Sequence, residues 1–331
     1  ADLVAFGRQS LADPAMPKKA LEERLEDMTP CIACLQGCVA NMYAGNPVCC
    51  LTNPFLGHEA EPIEKTENPK KVMVIGGGVA GLCAAFIAKE KGHEVTLYEA
   101  GDVLGGNMRL AAYPPGKGDI TNMIRSYIHR CQKDGVKIVM SCEVTPELIK
   151  EEKPDSVIIA TGSKTLILPI EGIDNPAIIH GSDLLDGKRA AGKKVLVVGG
   201  GMVGCETAAF LGEQEHDVTV IEFRDTVGAD VIHEHRVYLM KDFEDYGIKE
   251  ITGAKVCKFY EDGVEYETAD GVRHETRGYD SVILSMGFRN YNPLEEKIKD
   301  LVPETHVIGD AIRARRALDA TKEAYAVASK L

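Results

Sequence analysis

Residues 70–100 read KKVMVIGGGVAGLCAAFIAKEKGHEVTLYEA, and residues 193–223 read KKVLVVGGGMVGCETAAFLGEQEHDVTVIEF. In each stretch a β-branched run (Val72 to Ile75, Val195 to Val198) meets G-x-G-x-x-G. A helical pattern follows, and a second apolar strand ends in an acid, Glu99 or Glu222. That order makes a complete βαβ unit of the dinucleotide-binding type. The first glycine (Gly76, Gly199) permits the tight turn, and the second (Gly78, Gly201) lets backbone approach a pyrophosphate. The third (Gly81, Gly204) lets helix pack on strand, and the acid accepts from ribose hydroxyls. A lone G-x-G-x-x-G carries little weight. Here strand, glycines, helix, strand and acid recur in order, 123 residues apart. Two dinucleotide units in one chain imply that electrons pass between their ligands.

The 331 residues accommodate two domains with sizeable cores, and 44% hydrophobic with 27% charged residues is ordinary for a globular protein. No apolar run approaches the roughly 18 residues of a membrane span, and no signal-peptide pattern is visible. A net charge of −13 argues against nucleic acid or an anionic membrane as partner. Of ten cysteines, five crowd into positions 31–50. The others, Cys83, Cys131, Cys142, Cys205 and Cys257, read as buried free thiols. A secreted disulfide scaffold does not suit nucleotide-binding units, so a reducing, cytoplasmic setting is expected.

The chain opens at ADLVAFG, which reads as a strand already under way. A strand needs neighbours for its backbone groups, so the chain is expected to be the carboxyl part of a longer protein, with residues 1–28 docking poorly. Residues 29–60 read as irregular, and 61–70 (EPIEKTENPK) as a linker. The periodicity predicts a helix near 119–134 with Ile120, Met123, Ile124, Tyr127 and Ile128 on one face. It predicts another over 231–247 and a β-meander over 255–285. His233 and His235 are two residues apart and do not share a helix face, so a solvated reading is preferred to a metal pair. DSVIIATG at 155–162 matches DSVILSMG at 280–287, which marks an internal duplication with the second copy inserted before the first copy's last helix.

The two fingerprints, ATG at 160–162, SMG at 285–287 and GD at 309–310 resemble the FAD/NAD(P)H half of two-dinucleotide flavoenzymes. FGRQSLADPAMPKKA (6–20) resembles the last βα unit of the old yellow enzyme barrel. CIACLQGCVANMYAGNPVCCLTNP (31–54) and LGGNMRLAAYPPGKGD (104–119) extend the likeness. Over essentially its whole length the chain resembles the 2,4-dienoyl-CoA reductase and enoate reductase group, relatives of trimethylamine dehydrogenase. The fold class expected is α/β: two Rossmann-like domains, the second inserted in the first. Expected boundaries are 1–28 for a barrel end, 29–66 for an iron–sulfur segment, 67–168 plus 287–331 for FAD, and 169–286 for NAD(H).

The resemblance implies that Cys31, Cys34, Cys38 and Cys50 hold a [4Fe–4S] cluster, with Cys49 the obvious competitor. Zinc is the rival reading, although zinc sites tend to use two short C-x-x-C knuckles and this segment has one. FAD would lie on Gly76, Gly78 and Gly81, with Glu99 on its adenosine ribose. Gly105 and Gly106 would run along it, and the backbone of Val144 would meet adenine. Ala160, Thr161 and Gly162 would border it, and Gly309-Asp310 would meet the ribityl chain. Arg109 is a candidate pyrophosphate partner or simply a solvated charge. At Gly199, Gly201 and Gly204 a nicotinamide nucleotide is expected. Glu222 favours NADH over NADPH by repelling a 2′-phosphate, although Arg224 nearby could host one. Glu206 would approach the nicotinamide, against the plainer reading of a helix-start acid. Gly7 and Arg8 look like FMN-phosphate contacts that bind nothing without the rest of the barrel.

The expected activity is the electron-input half of an NADH-dependent ene-reductase. Electrons pass from NADH to FAD, through the cluster to FMN in a barrel beyond this chain, and so to an activated C=C bond of a small enoyl or dienoyl substrate. No catalytic acid is expected in this chain. The alternatives are an ADP-binding structural module like that of an amine dehydrogenase, and a stand-alone NADH diaphorase or electron-transfer subunit. Homo-oligomerisation is left open.

Overall fold

Lys71–Ile75 and Lys194–Val198, the strands that lead into the two fingerprints, each lie at the centre of a five-stranded parallel sheet. The computed structural model describes residues 2–331. The chain divides into two units, one of Ala1–Arg109, Asp119–Lys164 and Arg289–Leu331, the other of Leu110–Gly118 and Thr165–Phe288.

In the first unit the strand order is Glu304–Val307, Ser156–Ile159, Lys71–Ile75, Glu94–Tyr98, Lys137–Val139. In the second it is Ile179–His180, Ser281–Leu284, Lys194–Val198, Asp217–Ile221, Lys249–Ile251. All these pairings are parallel, and the registers repeat: Val72 faces Val95, and Val195 faces Val218. Central parallel strands are covered on both faces, which is why VMVI and VLVV run apolar without alternation. The second unit also carries the expected meander as an antiparallel sheet of Lys255–Tyr260, Gly263–Glu267 and Arg273–Thr276.

The fingerprint helix Val79–Glu90 is buried from Val79 to Ala88. Its sequence is apolar all round because it packs against the sheet, the closing helix Ala317–Ala328 and the helix Asp119–Lys133. Asp119–Lys133 buries Ile120, Met123, Ile124, Tyr127 and Cys131, close to the stripe read from sequence. The Phe86 and Tyr127 rings meet edge to face with centroids 5.1 Å apart. Among the described residues no helix is long and apolar enough to cross a membrane.

The front of the chain departs from expectation. Asp2–Phe6 forms no strand; Leu3 and Val4 are 93% and 66% exposed. Among the described residues no strand pairs with their backbone groups. Residues 8–29, however, are firmly docked. The Asp13 carboxylate, buried, accepts from Lys19 Nζ at 2.8 Å and from the Thr29 N–H at 2.9 Å. Gln9 donates to the Thr29 carbonyl and accepts from the Cys31 N–H, at 2.9 and 2.8 Å. Asp27 accepts from Lys133 at 2.5 Å and from Arg24 at 2.8 Å, and lies 2.9 Å from His129 Nε2. Short polar bonds, invisible in an apolar pattern, fasten this segment.

Candidate functional site

Each fingerprint turn is closed by backbone packing that only glycine allows. Gly76 has φ +110, and a Cβ there would lie 2.3 Å from the Ala160 carbonyl oxygen. A Cβ on Gly81 would lie 1.9 Å from the Gly76 oxygen. Gly199 and Gly204 repeat this: a Cβ would lie 2.4 Å from Ser285 O at the former and 1.8 Å from Gly199 O at the latter. Ala160 and Ser285 begin the two matched tripeptides, so ATG and SMG are the shelves on which the turns rest. Gly78 differs from its neighbours, because a Cβ there would meet nothing within 4 Å. It faces open space at the N-terminus of Val79–Glu90, where the first N–H groups of a helix lack partners and favour an anion.

Both acids at the strand ends brace the turns. Glu99 accepts from the N–H of Gly77 at 2.6 Å and of Gly101 at 2.7 Å. Glu222 accepts from Gly200 at 2.6 Å and Arg224 at 2.9 Å. Each carboxylate oxygen keeps a further lone pair for a hydroxyl donor. Gly105 and Gly106 pack on the first turn: the Gly105 N–H donates to Gly77 O at 2.8 Å, and a Cβ on Gly106 would lie 3.2 Å from the Gly78 Cα. Arg109 lies in the short helix Asn107–Leu110 that follows. Val144 is buried among Tyr98, Val157 and Ile159.

Gly309 and Asp310 are brought to the same place. A Cβ on Gly309, φ +63, would lie 3.0 Å from Ala80 Cβ, in the first turn of the fingerprint helix. Asp310 accepts from Ser163 Oγ at 2.9 Å and from the Arg315 N–H at 3.0 Å. Glu323 accepts from the Gly309 N–H at 2.7 Å and pairs with Arg315. Thr161 Oγ1 donates to Tyr291 O at 2.5 Å, and Gly162, φ +75, has open space where a Cβ would stand. Ser163, Tyr291, Arg315 and Glu323 were not singled out by sequence. Only Ser163 carried a signal, since it directly follows ATG.

In the second unit Glu206, on the first turns of Met202–Glu213, is 8% exposed and pairs with Lys117 at 2.7 Å. The Ser285 hydroxyl is buried with no hydrogen-bond partner and is packed against Gly181 and Gly204. His233 and His235 both lie on the helix His233–Asp245.

Cys31, Cys34, Cys38 and Cys50 line one small cavity with Arg8, Leu11, Ile32 and Leu51. Ala33 and Leu35 take positive φ, 51 and 57, which costs non-glycine residues about 1–2 kcal/mol each and bends the loop round the cavity. Burial pushes the Cys34 thiol up to about 11, the neighbouring Cys50, Cys38 and Cys31 adding to the rise. Burial also raises Cys50. Cys49 borders the cavity too, but its thiol donates to Gly37 O at 3.7 Å and accepts from Asn41 Nδ2 at 3.4 Å. Among the described residues no three or more His, Cys, Asp or Glu side chains close on a single metal-ion position. Four thiols round one cavity are the soft donor type that iron–sulfur clusters and zinc both use. Gly7 precedes the helix Arg8–Ala12, whose Arg8 reaches this cavity. Cys83, Cys131 and Cys205 are buried, free and raised by burial, which keeps them un-ionised and poor nucleophiles.

Residues 70–308 match the family profile described as pyridine nucleotide-disulphide oxidoreductase. The chain is similar to a cinnamate reductase of Clostridium sporogenes, 33% identical over 334 residues, covering 100% of this chain and 50% of that protein. It is 35% identical over 337 residues to an NADH oxidase of Thermoanaerobacter brockii, covering 99% of this chain and 52% of that protein. Among solved structures, a 2-naphthoyl-CoA reductase superposes with a TM-score of 0.93 at 33% identity, covering 98% of this chain and 50% of that one. The chain spans about half the length of the curated relatives it matches.

Proposed function

The chain belongs to the pyridine nucleotide-disulphide oxidoreductase family, and we propose that it is the electron-input half of an NADH-dependent flavin and iron–sulfur ene-reductase acting in the cytoplasm. The first fingerprint takes FAD and the second takes NADH. The cavity of Cys31, Cys34, Cys38 and Cys50 takes a [4Fe–4S] cluster. When bound, FAD would accept hydride from the nicotinamide of NADH, and the cluster would carry single electrons from the reduced flavin toward FMN in a barrel outside residues 1–331, for reduction of an activated C=C bond of an enoyl or dienoyl compound.

The residues of this chain bind and orient. The N–H groups at the start of Val79–Glu90 receive the FAD pyrophosphate over Gly78, while Glu99 fixes the turn and accepts from the ribose. Asp310 accepts from the ribityl chain, held by Ser163 and the Arg315 backbone. At the second site Glu222 accepts from the 2′-hydroxyl of NADH and disfavours the 2′-phosphate of NADPH. Lys117 holds Glu206 in place near the nicotinamide. The cysteine loop supplies four soft thiolates once protons leave them.

The observation that supports the reading most is Gly309 packed on Ala80, which delivers Asp310 to the first fingerprint. A nucleotide module for ADP alone has no use for an acceptor there. The test is acid extraction of the anaerobically purified protein, followed by NADH addition to the intact one. FAD in the extract and bleaching of the flavin absorbance support the reading. ADP alone, or a flavin that NADH leaves oxidised, overturns it.

A further inference from the structure

We propose that Asp230 is an electrostatic gate on the second dinucleotide site, a reading that rests on that site binding NADH. The Met202 N–H, the first of the helix Met202–Glu213, donates to Asp230 Oδ1 at 2.9 Å. A Cβ on Gly201 would lie 3.4 and 3.5 Å from the two Asp230 oxygens. The carboxylate therefore stands over the glycine, and on the helix end, that a dinucleotide pyrophosphate must occupy. The loop that carries it is pinned to the turn, since the Gly228 N–H donates to Gly200 O at 2.7 Å.

The duplication supplies an internal comparison. In the first copy the same bond joins Gly105 N to Gly77 O at 2.8 Å. The position matching Asp230, 123 residues earlier, is Asn107. Its neutral amide turns away, donating to Ser163 O and Oγ at 3.3 Å each, and the space over Gly78 stays open. The repeat that holds a resident cofactor thus has an amide at this point. The repeat whose ligand enters and leaves at every turnover has an anion. A helix N-terminus attracts one anion, and a second at contact distance is repelled. Nucleotide binding must move Asp230 off Met202, and the carboxylate returns as the spent nucleotide leaves.

The experiment is calorimetric titration of the holoprotein and its Asp230→Asn variant with NADH, ADP-ribose and adenosine. Asn keeps an acceptor for Met202 and removes the charge. Its Kd for NADH and for ADP-ribose is expected to fall about three- to fivefold, the size of a charge effect at a helix terminus. Adenosine, lacking phosphate, is expected to bind both proteins alike. Asp230→Ser, which also keeps an acceptor, is expected to follow Asn. If wild-type protein binds NADH and neither variant tightens it, Asp230 is only a helix cap and the gate is overturned. If adenosine tightens equally, the charge does not act on the pyrophosphate and the gate is again overturned. If wild-type protein binds neither NADH nor ADP-ribose, the reading of the second site fails and the gate with it.

Discussion

Lys117 Nζ lies 2.7 Å from Oε1 of Glu206, with both side chains largely withdrawn from water. The two come from segments 89 residues apart, so nothing in a linear motif joins them. Replacing Lys117 by Met strands a nearly buried carboxylate and is expected to cost about 1–3 kcal/mol of stability. Glu206→Gln retains an oxygen for the ammonium and is expected to cost less. Urea melts of the two variants check the order; equal costs would show that the pair is not coupled.

Gly78 and Gly81 are expected to separate binding from folding. Ala fits at Gly78 without any clash, so Gly78→Ala should melt within about 1 kcal/mol of wild type yet lose flavin, because the methyl fills the approach to the pyrophosphate. At Gly81 the methyl meets the Gly76 oxygen, and Gly81→Ala should lose both flavin and about 2 kcal/mol or more. A Gly78→Ala protein with normal flavin content would remove the cradle from this position.

Discrimination between NADH and NADPH is assigned to Glu222. Glu222→Gln keeps hydrogen-bonding capacity toward the turn but loses the charge. The preference for NADH, read as the ratio of the two dissociation constants, is expected to shrink about tenfold, equivalent to about 1.4 kcal/mol. An unchanged ratio would point instead to Arg224.

Among the cysteines, Cys34→Ser is expected to abolish bound iron and sulfide, whereas Cys49→Ser leaves them, because the Cys49 thiol is engaged with Gly37 and Asn41. Iron and acid-labile sulfide assays on anaerobic preparations decide it. Loss of iron in Cys49→Ser would exchange the roles of Cys49 and Cys50.

Acid should loosen the front segment. Hydrogen bonds from Lys133, His129 and Arg24 hold the Asp27 carboxyl well below the usual carboxylate range. A depressed folded-state pKa adds stability that is fully present above the unfolded value of about 3.9 and fades as pH falls below it. Asp27→Asn should therefore melt lower than wild type at neutral pH, with the two curves converging below about pH 4. A constant gap down to strongly acid pH would mean that the charge is not what docks residues 8–29.

The parallel sheets, the fingerprint turns and the long helices were legible because each is a local pattern: a β-branched run, three glycines, an apolar stripe every third or fourth residue. The Asp2–Phe6 stretch misled for the same reason. It has strand composition, and composition does not reveal whether a partner strand exists. The docking of residues 8–29 was missed because Asp27 finds its partners Lys133 and His129 at 106 and 102 residues' distance, while Asp13 and Gln9 shape the segment through nearby polar bonds.

By itself the sequence determined that two copies of one nucleotide-binding architecture exist, since glycine spacing and strand-ending acids are dictated by backbone geometry within some thirty residues. The copies already differ in the ligands that the resemblance implies; the contacts that differ between them were decided by tertiary structure. Asp310 reaches the first turn only because Gly309 packs on Ala80, more than two hundred residues earlier in the chain. Lys117 meets Glu206, Cys49 turns aside from its four neighbours, and Asp230 covers the second helix end where Asn107 leaves the first one open. Each is a contact between side chain and distant backbone or charge, and such contacts are set by the folded path rather than by spacing.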